Sequence, residues 1–366
     1  MARKKQKKNT FSDVITTLIV VIILAVALLY YYNNKEKEKD KFSGINQVFT
    51  DTATAANGDI LQIHFIDVGQ GDCIFIEFPD GKNMLIDAGD NGKEDIVIDY
   101  LNDLKVEEIT LVLATHADAD HIGGMQEVFE AFDVSYCLRP FVYYNGEDLD
   151  EFEESFNMPS GSTKKKNCST KTYKNFLSAL LDEKCGWEYF NKDSDFSQVL
   201  TYNGVESSYS IDFLTPTADI PEIGYSDAND YSPIFTLTYS DFCIMFTGDA
   251  EMVVEDELLK YYSTFPDVNV LKVGHHGSES STSRELLKKI KPEEAVIMCG
   301  ENNKYNHPRQ ITLDHLIEAA AVIYRTDLQG DILLTVQSNG EYAFSTERKA
   351  APSDLITGKE GIINND

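Results

Sequence analysis

Positive charge is scarce in this chain: 32 Lys and Arg stand against 61 Asp and Glu, a net charge of −29 over 366 residues. That balance excludes a passive nucleic-acid coat, which needs a basic face to displace counterions. Six cysteines are too few for a disulfide scaffold at this length. Cys73, Cys243 and Cys299 lie in apolar runs and read as small buried hydrophobes. Cys168 and Cys185 bracket a polar, helix-like stretch, where free thiols or a pair both fit. Tryptophan occurs once; Trp187 and the tyrosine-rich stretches read as packing and surface, not as a base-stacking platform. No internal repeat is evident. The hydrophobic fraction, 42%, is enough for a core and rules out general disorder.

The charge is uneven. Residues 1–41 are net +5 (nine Lys/Arg, four Asp/Glu), so the remainder carries −34. Between Val14 and Tyr32 the chain reads VITTLIVVIILAVALLYYY without a charge. At about 1.5 Å per residue this nearly crosses a hydrocarbon layer of ~30 Å. Five basic residues precede it, and Tyr30 to Tyr32 close it as an interfacial belt would. A cleaved signal peptide is the alternative, but the stretch is long for one and no small-residue cleavage site follows. The expected organisation is a basic cytoplasmic tail at 1–13, a single-pass anchor at 14–32 in the cell membrane, and a linker at 33–58 containing KEKEKDK. An extracellular domain at 59–350 and a frayed tail at 351–366 follow.

Within the body, short β-rich runs at 61–67, 73–78 and 83–86 are separated by GQGD and PDG turn signals. Helices are expected near 92–104, 125–132, 171–183, 250–262, 282–290 and 309–320. Strands are expected at 109–115, 209–214, 233–239, 242–247, 268–274, 294–300, 321–324, 330–337 and 341–346. This order fits an α/β fold of two packed sheets with helices outside, one body of about 290 residues. Residues 141–170 have no clean period, and their acidic run and Lys164 to Lys166 read as a solvated insertion.

The strand at 109–115 runs into His116-Ala117-Asp118-Ala119-Asp120-His121, four metal-competent side chains within six positions. Packing carboxylates this densely raises their mutual repulsion, and a divalent cation relieves it. Asp249 follows the apolar run DFCIMF, and His275 and His276 follow VNVLKVG. His307 lies in NNKYNHP. Ligands delivered from several strand ends onto one rim are how a rigid scaffold builds a metal site. His64, in a strand, and His315, in a helix, read as structural.

These words, with FIDVGQGD (65–72), LIDAG (85–89), NDYS (229–232) and FTGDAE (246–251), make the chain resemble the metallo-β-lactamase fold superfamily. Within it, the likeness is to the hydrolase domain of ComEC-type competence proteins. The matching words run in the family's order over about residues 60–346. The resemblance implies an αββα sandwich and two divalent metals. His116, Asp118 and Asp249 would hold one, and Asp120, His121, Asp249 and His275 the other. It further implies Asp87 behind the metal loop, Asn229 and Ser232 near the first metal, and Asp67 and Asp72 shaping a rim turn. Asp120 would orient a water, and the catalytic His276 and His307 would line the cleft as proton donor or substrate contacts, with a metal-ligand role the alternative for His307.

Two departures stand out: Asp118 replaces the superfamily's usual second histidine, and no histidine lies between His121 and His275. An oxygen-rich first site suits Mn²⁺, with Zn²⁺ the other candidate, and β-lactam hydrolysis is not expected. The expected activity is a membrane-anchored phosphodiesterase acting on DNA. The alternatives are a small-phosphoester hydrolase resembling phosphorylcholine esterases and a non-catalytic metal-stabilised binding protein.

Overall fold

The computed structural model describes residues 59–144, 167–202, 205–218 and 223–359. The expected anchor, the linker and the 147–166 charge runs lie outside the described residues. Among the described residues no helix is long and apolar enough to cross a membrane.

The chain begins with β1 (Ile60–Phe65), β2 (Ile74–Glu77) and β3 (Asn83–Ile86), then α1 (Glu94–Asp103) and β4 (Glu108–Leu113). Next come α2 (Ala119–Ile122), α3 (Met125–Ala131), β5 (Asp133–Arg139), the short β6 (Tyr143–Tyr144) and β7 (Asn167–Cys168), α4 (Lys171–Glu183) and β8 (Gly186–Tyr189). The second half contains β9 (Phe196–Tyr202), β10 (Val205–Phe213), β11 (Phe235–Tyr239), β12 (Phe242–Phe246), α5 (Met252–Tyr261) and β13 (Val270–Lys272). It continues through α6 (Arg284–Ile290), β14 (Glu294–Ile297), α7 (Gln310–Glu318), β15 (Val322–Arg325) and α8 (Thr326–Gln329). The chain then returns through β16 (Ile332–Gln337), β17 (Tyr342–Thr346) and α9 (Pro352–Leu355).

One sheet has the order β17-β16-β1-β2-β3-β4-β5-β8, and the other β15-β14-β13-β12-β11-β10-β9. In each, an antiparallel part passes into a parallel part, at β3–β4 and at β12–β13. The sheets face each other across Ile63, Phe65, Ile76, Leu111, Leu113, Ile211, Leu237, Ile244, Phe246 and Leu334. Outside the first sheet, Val97, Leu101, Val128, Phe129, Phe176 and Leu180 bring α1, α3 and α4 onto it. Outside the second, Val254, Leu258, Leu286, Leu287, Leu313 and Leu316 do the same for α5, α6 and α7. The result is an αββα sandwich. Strands covered on both faces are apolar throughout, as in FCIMF of β12, every residue of which is buried. Helix α4 starts where Thr170 Oγ1 accepts the Tyr173 N–H at 3.2 Å and stops at Lys184, φ 58°.

Five strands were not expected: β5, β8, β9 and the two-residue β6 and β7, which pair with each other. Asp133–Arg139 follows α3 without a Gly or Pro to mark the break, and β8 and β9 are edge strands with mixed polarity. Cys168 and Cys185 are free thiols. The expectation of fraying from Ala351 is corrected for residues 351–359. Buried Arg325 pairs with Asp327 (Nη2–Oδ2 2.8 Å) and donates through Nη1 to the carbonyls of Asp354 and Thr357 at 3.0 and 2.8 Å. Lys359 Nζ reaches Asp327 at 2.9 Å and donates to the carbonyls of Gly300 and Glu301. This buried charge cluster holds the segment against the 300–309 loop.

Candidate metal centre

The parallel parts of both sheets end on one rim. Strand β4 leads into Thr115 and His116, β12 into Gly248 and Asp249, β13 into Gly274-His275-His276, and β14 into the loop bearing His307. The β1–β2 connection carries Asp67 to the same rim and Asp72 beneath it. Its Gly71 (φ +135°) is required there, since a Cβ would sit 2.2 Å from the Asp120 carbonyl oxygen.

Hydrogen bonds on the outer ring nitrogens set the chemistry. Thr115 donates its N–H to Asp87 Oδ1 at 2.9 Å and its hydroxyl to Asp87 Oδ2 at 2.6 Å. His121 Nδ1 donates to the same Oδ2 at 2.7 Å. With its proton committed to Asp87, Thr115 Oγ1 accepts from His116 Nδ1 at 3.1 Å. His276 Nδ1 donates to the Met298 carbonyl at 2.9 Å. Each Nδ1 is therefore the donor, and the three Nε2 lone pairs are left to point inward. His121 Nε2 and His276 Nε2 lie 3.2 Å apart, and Asp249 Oδ2 is 3.2 and 3.3 Å from them. Asp120 Oδ2 is 3.4 Å from His276 Nε2. His116 Nε2 and Asp249 Oδ1 are buried without a hydrogen-bond partner.

Converging lone pairs and carboxylate oxygens with unpartnered buried atoms are costly unless a cation binds them, so this donor set fits a divalent metal. Without one, protons must do the work. Burial pushes His121 and His276 towards neutrality, but Asp249, with Asp87 for His121 and Asp120 for His276, outweighs it and holds both well above the usual imidazole range. His116 goes the other way, down to about 4, because burial and the His121 charge both oppose its protonation. It is held as a neutral, lone-pair-bearing imidazole. Nitrogen from three histidines and oxygen from Asp249 and Asp120 make a mixed set, compatible with Zn²⁺ or Mn²⁺.

Other expected residues take these places. Asp118 stands at the start of α2 without a capping side-chain hydrogen bond, half exposed, its Oδ2 4.0 Å from His116 Nε2. His275 lies farther out than His276: its Nε2 is 3.8 Å from Asp249 Oδ2, and its Nδ1 faces Glu251 at 3.2 Å. Both histidines have positive φ (47° and 54°), and that turn sends the second ring inward. His307 is buried on the flank, its ring 5.4 Å from His275 and 6.4 Å from His276. Ser232 Oγ lies 3.2 Å from His116 Nδ1 and accepts the Asp249 N–H at 3.1 Å. Asn229 offers its carbonyl to the Ser232 N–H. Asp67 accepts from the Gly69 N–H and from Arg348, shaping the turn. His64, between Tyr100 and Glu77, and His315, on the Thr282 carbonyl, lie elsewhere.

Asp72 is not a rim residue but buried, and one donor atom from each of Asp72, His121, Asp249 and His276 falls within 4.8 Å of the others. Its position differs in kind, however. It sits on the Nδ1 side of His276 (3.3 Å), and its Oδ2 is held by Lys272 Nζ at 2.6 Å. Lys272 is fully buried. Burial alone would raise the Asp72 carboxyl, but Lys272 and His276 hold it below the usual carboxylate range. The pair therefore orients His276 from behind. Lys272 was missed in the sequence, where a lone lysine inside the apolar run VLKV was the available signal.

Residues 66–186 match the metallo-beta-lactamase superfamily model, whose members are generally metal-dependent hydrolases. Three curated proteins similar to the chain are competence-related and of the ComEC type. It is 27% identical over 290 residues to ComE operon protein 3 of Bacillus subtilis, covering 74% of this chain and 32% of that protein. Against recombination protein 2 of Haemophilus influenzae it is 25% identical, with 74% and 28% covered. Against competence protein ComA of Neisseria gonorrhoeae it is 23% identical, with 72% and 30% covered. The chain thus spans about a third of the length of these relatives.

Proposed function

We propose that this protein is a membrane-anchored, metal-dependent phosphodiesterase whose hydrolase domain lies outside the cell and acts on nucleic acid. The observation that carries the hydrolytic reading is the convergence of His121 and His276 Nε2 on Asp249 Oδ2, with Asp120 against His276 and the buried, unpartnered Nε2 of His116 on the neighbouring ring, each ring fixed from behind by its Nδ1 partner. The competence name of one relative supports nucleic acid as the substrate, and the uncharged 14–32 stretch supports the anchor. In this reading His116, His121, His276 and Asp249 are the principal ligands, with Asp118, Asp120 and His275 at the margins for a second ion. Bound there, divalent ions lower the pKa of water and offset charge on a phosphoryl oxygen. Asp120, whose carboxyl is held low despite its burial by His276 and His121, remains an ionised acceptor that aligns the attacking water. Burial and the His276 and His275 charges push His307 down to about 3. It is thus neutral at rest, so the proton for the leaving oxygen would come from solvent rather than from a resting His307 imidazolium.

The chain's −29 charge favours a second reading, a small zwitterionic phosphoester as substrate. The full-length protein with Mn²⁺ or Zn²⁺, assayed on DNA and on bis-p-nitrophenyl phosphate, separates the two. DNA cleavage supports the first reading, and dye release without it supports the second. Asp120→Ala is expected to lose activity on the order of a hundredfold to a thousandfold with unfolding unchanged. Full activity in that variant would sink the site assignment.

A further inference from the structure

We infer that Tyr305, with Lys304 beside it, is a stacking platform for an unpaired nucleobase next to the scissile phosphate, so that the site selects single-stranded nucleic acid. This rests on the phosphodiesterase reading above and adds its substrate class. The rings of the site form a ladder that leads outwards. His116 and His121 are 4.1 Å apart, His121 and His276 5.1 Å, and His276 and His307 6.4 Å. Tyr305 continues it, 5.6 Å from His307 and inclined by only 24°. It is the rung that meets solvent, 46% exposed.

The backbone that carries the ring is also held in place. Asn303 accepts the N–H groups of Tyr305 and His307 at 3.2 and 2.9 Å, and donates to the carbonyls of Gly300 and His307 at 2.8 and 2.6 Å. Lys359 clasps the Gly300 and Glu301 carbonyls from below. A pre-placed aromatic ring loses little freedom on binding, which is what a stacking platform requires.

Charge selects among ligands for that ring. Lys304 Nζ lies 4.9 Å from the Tyr305 centroid. Lys93 Nζ lies 3.8 Å from where a Cβ on Gly69 would stand, and Gly69 abuts Gly300 at the foot of the same loop. In so acidic a chain, Lys304 and Lys93 near this loop attract a phosphodiester backbone. Lys304 stands on a fully exposed stem, so its ammonium can leave the ring face to a base and move onto the neighbouring phosphate. A base inside a duplex has both faces stacked already and cannot use the platform, whereas a single strand can.

The test measures binding by fluorescence anisotropy with the full-length protein in EDTA, so that it does not depend on turnover. Probes are a labelled oligothymidine, the same strand with central abasic sites, and its duplex. Wild type should prefer the base-bearing single strand over the abasic strand on the order of tenfold to a hundredfold. Tyr305→Ala should abolish that preference, and Tyr305→Trp should keep it. Equal affinity of wild type for base-bearing and abasic strands, no measurable binding of either, or a preference that survives Tyr305→Ala would overturn the inference. Because cleavage is scored separately, base-dependent binding without DNA cleavage would refute the phosphodiesterase reading alone.

Discussion

Lys272→Met tests most sharply how the second sheet orients the metal centre. The ammonium is fully buried, 2.6 Å from Asp72 Oδ2 and 3.0 Å from the Val273 carbonyl. Removing one partner of a buried pair leaves the other as an uncompensated charge, a loss of about 3–5 kcal/mol. For a domain of this size that is a fall in melting temperature on the order of 10 °C. The deficit should depend on pH in a definite sense. In wild type the Asp72 pKa is depressed, so its contribution is present above the unfolded-state carboxylate pKa and is lost as pH falls through the folded one. In Lys272→Met the same carboxyl is raised, so its penalty grows as pH rises above the unfolded-state carboxylate pKa and is complete above the new, higher one. The gap between variant and wild type should therefore narrow from pH 7 towards pH 4. Denaturant unfolding of wild type, Lys272→Met, Asp72→Asn and the double variant gives the coupling directly. Titration of Zn²⁺ into each should show weaker binding in Lys272→Met, because His276 loses its support. Additive single losses, or a Lys272→Met deficit below about 1 kcal/mol, would refute the reasoning.

Two further outcomes follow from the structure. Chelation should lower the melting temperature, and restoring Mn²⁺ or Zn²⁺ at a hundred times its dissociation constant should return about 2.7 kcal/mol; a thermal scan unmoved by EDTA would argue against a resident ion. Half-buried Glu188 has its carboxyl pushed up to about 7 by burial, only partly offset by a hydrogen bond from Tyr136. A raised carboxyl costs stability as pH rises from about 4.5 to 7, so Glu188→Gln should gain about 1–2 kcal/mol at pH 8 and nothing at pH 4; equal gains at both would exclude ionisation as the cause.

Much of the site was legible because its words are local. The His116–His121 run, the Gly71 turn and the strand-end positions of Asp249 and the His275–His276 pair depend on short-range pattern. The α4 boundaries, 171–183, agree with expectation because cap and period agree. Strand β5 did not declare itself, since its half-polar pattern follows directly on a helix and only pairing with β4 and β8 makes it a strand. Fraying was expected from Ala351 because little in residues 351–359 is apolar. What holds them is the Arg325–Asp327–Lys359 charge cluster, which ties the segment to a buried pair just before β16 and to the Gly300 loop.

The amino-acid order alone determined which donors exist, that strands deliver them to one rim, and the class of chemistry a hard, oxygen-bearing set serves. Tertiary structure decided which of two adjacent histidines turns inward, that Asp72 is taken by Lys272, and that Tyr305 extends the ring ladder to solvent. Those outcomes depend on backbone turns with positive φ and on contacts between segments up to about 200 residues apart. Spacing along a chain cannot specify direction in space until both sheets are packed.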